Sequence, residues 1–144
     1  MPDCTFCHVV TDQPEEHVHA DDRTVAFLDI RPLFHGHLLV VTRAHVVRLD
    51  DLPPAELEPL FTTVQAAMRT LEAALDAPGV FVANNNTVSQ SVPHLHVHVV
   101  PRRPKDGLKG FFWPRTRYAE GEREAMRDRL RAAWVGDGGA REAG

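Results

Sequence analysis

The stretch SVPHLHVHVVP, residues 91–101, places His94, His96 and His98 on alternate positions of an otherwise apolar run. Side chains alternate across a strand, so this pattern predicts a strand over 94–100 with three imidazoles on one face. Leu95, Val97 and Val99 then point to the other. The aliphatic face must be buried against something, which leaves the imidazoles to line the opposite surface. Pro93 and Pro101 bracket the run, where pairing is expected to begin and stop. Three of nine histidines in register are hard to assign to chance, and they direct attention to metal ligation or to imidazole chemistry.

The cover for the aliphatic face is legible further upstream. Leu57, Leu60, Phe61, Val64, Met68, Leu71 and Leu75 recur at three- and four-residue steps, the stripe of a long amphipathic helix. Asp50-Asp51-Leu52-Pro53-Pro54 opens it and Pro78-Gly79 ends it. Residues 18–20 and 24–28 read as a hairpin around Asp21-Asp22-Arg23, and 37–42 as a buried strand after the Gly36 turn. Residues 80–83 read as a strand, 84–90 as a polar loop, and 122–134 as a second, shorter helix. The sum is an α+β domain over 1–135 with a flexible tail at 136–144. A chain of 144 residues is long enough to bury such a core.

Charge narrows the partners. The formal net charge is −4, yet 101–117 carries Arg102, Arg103, Lys105, Lys109, Arg115 and Arg117 against Asp106 alone. A local basic segment on an acidic protein suits a small phosphate-bearing ligand, whereas long nucleic acid calls for a broad positive face. No secretory leader is visible and the aliphatic run 38–41 is far too short to span a bilayer, so a cytoplasmic protein without membrane contact is expected. In that reducing compartment Cys4-x-x-Cys7 points to metal ligation or redox work; no βαβ pattern surrounds it to favour the latter. Two thiolates need two more ligands to close a zinc tetrahedron, and His8, His17 and His19 lie near in sequence.

Two chemistries use the histidine triplet itself. Either HxHxH grips a catalytic metal whose open position activates water, or a neutral imidazole is the nucleophile. The second requires one ring nitrogen to be protonated and held by a backbone acceptor, so that the other keeps its lone pair. The triplet alone does not choose.

The flanking residues carry a resemblance. QSVPHLHVHVVPR, preceded by Asn84-Asn85-Asn86, is similar to the signature of the histidine triad (HIT) family of nucleotide hydrolases and transferases. Cys4-Thr5-Phe6-Cys7, AFLDI at 26–30 and GHLLVVTRAH at 36–45 resemble further blocks of that family, in its order. The resemblance implies the HIT fold: an antiparallel sheet of about five strands, one long helix, a short C-terminal helix, and a homodimer with a continuous sheet. It implies His96 as the nucleophile at the α-phosphorus of a nucleoside phosphoramidate, adenylylated amine or dinucleoside polyphosphate, through a covalent nucleotidyl-histidine.

His98 would sit at the phosphate and supply the carbonyl that orients His96; His37 matches a fourth histidine of the same pocket. Gln90 and Ser91 match the polar pair at phosphate and leaving group, Asp29 the ribose-binding carboxylate, and Phe27 and Ile30 the apolar walls around a purine base. Asn84 is the favoured asparagine for ligand contact, although this chain lacks the glycines that many relatives carry before the glutamine. The resemblance also nominates His45 and His94 to complete one structural Zn2+ with Cys4 and Cys7. A catalytic metal on His94, His96 and His98, or nucleotide binding without turnover, are the competing expectations. The segment 111–118 (FFWPRTRY) is expected either to cap the pocket or to serve a dimer surface.

Overall fold

The computed structural model describes residues 3–110 and 113–136, and the chain divides into two compact units, residues 1–106 and 107–144. The first unit is built on one antiparallel sheet of five strands in the order β1-β2-β3-β5-β4. These are β1 (His17–Ala20), β2 (Thr24–Leu28), β3 (Leu38–Thr42), β4 (Gly79–Ala83) and β5 (His96–Arg102). Two helices accompany them, α1 (Thr5–Asp12) and α2 (Pro54–Leu75). The second unit carries α3 (Glu122–Ala133). Phe111, Phe112 and residues 137–144, with most of the expected tail, lie outside the described residues; Trp113 and Tyr118 of the aromatic segment are exposed.

Alternation sorts the strands into two faces. Ala26, Leu38, Val40, Leu95, Val97 and Val99 bury against Leu60, Val64, Ala67 and Leu71 of α2. Burying an aliphatic side chain of this kind contributes about 1.5–3 kcal/mol each, so this layer dominates the fold. α2 begins with Pro54, where no amide donor is needed, and ends at Asp76 in the left-handed region, φ 54°. The Arg103 guanidinium caps that end by donating to the carbonyls of Leu75 and Asp76. The β1–β2 turn is closed by the Asp21 carboxylate, which accepts from the backbone N–H of Arg23 and Thr24 at 2.9 and 2.8 Å.

Three expectations need correction. The histidine face is not open. α1, which hydrophobic periodicity does not announce, lies over it and joins Cys4, Phe6 and Val10 to Val25, Phe27, Leu39 and Val41 in a second core. His94 and His96 are accordingly only 0% and 2% exposed. Next, β5 starts at His96, two residues later than the alternation suggested. His94 stands before the ladder because its neighbour's N–H bonds to the Val46 carbonyl in the β3–α2 connection, 2.6 Å away. Finally, Pro101 lies inside the strand and pairs with Val80. The β3 ladder has already stopped at Val99, so β5 is an edge there and tolerates a residue without a donor.

Gly36 sets the entry to β3 and hence the place of His37. Its φ is +101°, and a Cβ there would meet Leu75 Cδ1 at 2.5 Å and Pro101 Cγ at 3.4 Å. Gly36→Ala combines left-handed strain with overpacking against α2, and is expected to cost about 2–4 kcal/mol. Urea unfolding should show a lower midpoint with an unchanged slope.

Candidate active site

Hydrogen bonds fix the proton position on four imidazoles, three through the backbone and the fourth through a neighbouring ring. His94 Nε2–H donates to the Thr42 carbonyl at 2.8 Å, which leaves Nδ1 with its lone pair. That Nδ1 lies 3.4 Å from Cys4 Sγ and 3.5 Å from Cys7 Sγ. His96 does the reverse. Its Nδ1–H donates to the His94 carbonyl at 2.7 Å, and Nε2 keeps the lone pair. The orienting carbonyl is thus that of His94, not of His98 as expected, because the ring folds back along its own strand toward residue i−2.

His37 and His98 form a second pair. The Leu33 N–H donates to His37 Nδ1 at 3.1 Å, so the His37 proton is on Nε2 and points to His98 Nδ1, 2.9 Å away. His98 then carries its own proton on Nε2 as a free donor. Asp29 Oδ2 lies 3.6 Å from His37 Nε2. Burial pushes the His37 pKa down, with Asp29 opposing. Burial, then the neighbouring His96 and His37, push His98 down to about 4. Both rings are therefore neutral at pH 7.

Only one of these nitrogens is a free base facing outward. Among the described residues no fully buried side-chain nitrogen or oxygen lacks a hydrogen-bond partner, and His96 Nε2 makes no such bond. The atom therefore meets solvent although the residue as a whole is buried. Phe6 presses on the ring edge-on, centroids 5.0 Å apart, and the His98 ring stands 5.0 Å away on the other side. A nucleophile with a fixed tautomer beside a fixed N–H donor is what attack on an anionic phosphorus centre requires.

The loop before β5 ties itself to this site. Asn84 Nδ2 donates to the His96 carbonyl at 2.9 Å and its oxygen accepts from Asn86 at 2.6 Å. Gln90 Nε2 donates to the Val47 carbonyl at 2.6 Å and Gln90 Oε1 accepts the Thr87 N–H at 2.9 Å. Ser91 is exposed. Asp29 sits at the end of β2, where its N–H donates to the His37 carbonyl at 2.9 Å and its Oδ1 accepts from the Arg31 N–H. Phe27 is buried, stacked edge-on against Phe6 at 5.4 Å, whereas Ile30 is 92% exposed.

Cys4, Cys7, His45 and His94 converge within 4.8 Å of one another. Zn–S and Zn–N bonds of about 2.3 and 2.0 Å at tetrahedral angles put sulfur and nitrogen ligands about 3.5 Å apart. Cys4–His94, Cys7–His45 and Cys7–His94 are 3.4, 3.3 and 3.5 Å, so the donor set fits a closed zinc site. Burial and the adjacent Cys4 raise the Cys7 thiol pKa, as expected for two sulfurs crowded together where a cation would draw them into thiolates. His8, His17 and His19 go elsewhere: to Asp12, the Val9 carbonyl and Asp21. His94, His96 and His98 do not converge on a common point. Among the described residues the possible ligand groups are the Cys/His four and Asp29–His37–His98, which removes the geometric basis for a metal held by all three.

A family model described as HIT domain matches residues 10–105. An uncharacterised HIT-like protein of Methanocaldococcus jannaschii is 36% identical over 107 residues, 72% of this chain and 82% of that protein. The asymmetrical bis(5'-nucleosyl)-tetraphosphatase of Schizosaccharomyces pombe is 36% identical over 85 residues, 58% of this chain and 47% of that enzyme. The crystal structure of a HIT family protein from Bacillus subtilis superposes with a TM-score of 0.81 at 27% identity, covering 94% of this chain and 99% of that one. A zinc-bound histidine triad family protein from Mycobacterium smegmatis gives 0.69 at 32% identity, covering 92% and 99%.

The low pKa of His98 has a measurable consequence. In the unfolded chain the ring takes a proton near pH 6.5, but in the folded chain only near 4. The unfolded state therefore gains protons first as pH falls. The stability tied to a neutral His98 is full above pH 6.5 and drains away toward pH 4. Nitrogen NMR should show the Nε2–H tautomer persisting at pH 5, and His98→Asn should flatten, without abolishing, the loss of the urea midpoint between pH 7 and 5, since His37 is shifted the same way.

Proposed function

The chain belongs to the HIT family of nucleotide hydrolases and transferases, and from that premise we propose that it cleaves a nucleotide conjugate at the α-phosphorus through a covalent nucleotidyl-His96. The observation that carries this is the His96 Nδ1–H bond to the His94 carbonyl at 2.7 Å, which leaves Nε2 as the outward base. Nε2 attacks the α-phosphorus, a P–N bond forms, and the bond to the leaving group breaks with its electron pair. The ring becomes an imidazolium whose Nδ1–H still rests on the carbonyl dipole. His98 Nε2–H, aimed by His37, donates to a non-bridging oxygen as charge develops there. Water then attacks phosphorus, the P–N bond breaks, and the lone pair returns to Nε2. The net reaction is nucleotide conjugate plus water to nucleoside monophosphate plus protonated leaving group.

Asp29 is suited to accept from ribose hydroxyls, Ile30 to offer an apolar surface to a base, and Ser91 to donate to phosphate or leaving group. Asn84 is assigned to holding the His96 carbonyl. The substrates proposed are nucleoside phosphoramidates or dinucleoside polyphosphates, the latter supported by the Schizosaccharomyces pombe relative. Mixing the protein with an adenosine phosphoramidate should add one adenylyl group to the intact mass within the first turnover. His96→Ala should show none and lose at least about 1000-fold in rate, as expected for removal of a covalent nucleophile; an adduct persisting on the Ala variant would sink the proposal.

A structural Zn2+ on Cys4, Cys7, His45 and His94 is part of the same proposal: bound there, it cross-links α1 to the β3–α2 connection and to the start of β5. Metal analysis should give one zinc per chain in the wild type and in His17→Ala, and far less in His94→Ala. Among the described residues no helix is long and apolar enough to cross a membrane, and two unpaired thiols favour a reducing, cytoplasmic compartment. The partner proposed for the outer face of α2 and the edge strand β4 is a second copy. Leu57, Phe61, Leu75 and Val82 each remain 38% or 39% exposed there, and sedimentation should show Phe61→Asp shifted from dimer toward monomer.

A further inference from the structure

Between Asn84 and Gln90 the chain has no glycine, yet Thr87 and Ser89 hold φ of +74° and +61°. Glycine takes this region freely, whereas a β-branched residue such as threonine is among the least suited to it. A backbone of this kind persists only where its surroundings over-determine it. Thr87 is exposed, so no packed core holds it; polar contacts must.

Those contacts come from the connection between β3 and α2. Asp50 grips the Arg48 guanidinium on two sides, Nε to Oδ1 at 3.0 Å and Nη2 to Oδ2 at 3.4 Å. The planar fork is thereby aimed, and Nη1 donates to Thr87 Oγ1 at 2.7 Å. Gln90 Oε1 accepts the Thr87 N–H, and Gln90 is itself tied to the Val47 carbonyl. The other end of the loop rests on the same connection. The Leu49 N–H donates to Asn86 Oδ1 at 2.8 Å, Asn86 to Asn84, and Asn84 to the carbonyl of His96. Residues 47–49 therefore brace a loop whose far side holds the main chain of the nucleophile.

We propose that Arg48 is a positioning residue of the active site: its clasp on Thr87 replaces the glycine this loop would otherwise need, and so holds the loop that braces the His96 main chain through Asn84. The proposal rests on the assignment of His96 given above. Arginine suits the task because one face of the fork can be anchored by a carboxylate while the remaining N–H points elsewhere. Asp50 does the anchoring. The clasp is chain-specific in its logic: in Thr87→Gly the left-handed backbone needs no restraint, and Arg48 becomes dispensable.

That dependence is the test. Arg48→Gln, Thr87→Gly and the double variant are compared by adenosine monophosphate affinity in calorimetry, by the strong intraresidue HN–Hα NOE that a positive φ gives at residue 87, and by urea midpoint. Arg48→Gln should weaken nucleotide binding about 3- to 10-fold, the range for losing one ordinary hydrogen bond, and should abolish the Thr87 NOE in the free protein. The double variant should bind within about twofold of Thr87→Gly, since a glycine needs no clasp. Persistence of the Thr87 NOE in Arg48→Gln, or a double variant as weak as Arg48→Gln, overturns the proposal. If the wild type binds no adenosine monophosphate, the assignment of His96 fails instead. The midpoints then decide alone: Arg48→Gln should lower the midpoint when introduced into the wild type but not when introduced into Thr87→Gly, and equal drops overturn the clasp.

Discussion

A hydrogen bond of 2.7 Å from His96 Nδ1–H to the carbonyl two residues back is the constraint on which the site depends. A neutral imidazole has one proton for two nitrogens, so any strong acceptor at one of them decides the chemistry of the other. The same rule acts four times here with opposite results. The Thr42 carbonyl holds the His94 proton on Nε2 and leaves Nδ1 to the thiols, while the His94 carbonyl turns His96 Nε2 outward. The Leu33 N–H makes His37 a donor to His98, which leaves the His98 proton on Nε2. Four identical side chains thus present four different combinations of proton and lone pair, each set by its hydrogen-bond partner.

This arrangement depends on the two unequal faces of the sheet. The α2 face is predominantly aliphatic, with one buried Thr24–Thr63 hydroxyl pair, and supplies the bulk of the burial energy. The α1 face is a smaller apolar core into which polar rings are set, and their nitrogens bond to main chain, to sulfur or to one another. Desolvation in that layer keeps His37 and His98 uncharged, which suits donation to an anion through one proton and avoids a fixed cation beside His96. Phe6 belongs to both functions: it closes the small core against Phe27 and walls the His96 ring.

His94 couples the layers. Its side chain faces the Cys4–Cys7 pair at the start of α1, and its carbonyl orients the His96 ring. Whatever fixes residue 94 fixes residue 96. The strained 87–90 turn and its brace on residues 47–49 serve the same end from the opposite side, through Asn84 and the His96 carbonyl.

What the sequence by itself determined is whatever periodicity and local chemistry encode. The stripe from Leu57 to Leu75 became α2, the alternation around His96 became the interior strand β5, and the proline and glycine punctuation placed the turns to within about two residues. The resemblance in QSVPHLHVHVVPR and CTFC brought the family, the proposed nucleophile and the four possible metal ligands into view together. Tertiary structure alone decided what depends on residues distant in sequence. The burial of His94 and His96 comes from α1, an eight-residue helix whose apolar positions are too few to announce a face. The identity of the orienting carbonyl, the proton on each ring and the gathering of Cys4 with His94, ninety residues apart, follow from hydrogen bonds that no spacing rule contains. The left-handed Thr87 was hidden for the same reason: its cost is local, but the Arg48 clasp that sustains it lies 39 residues away.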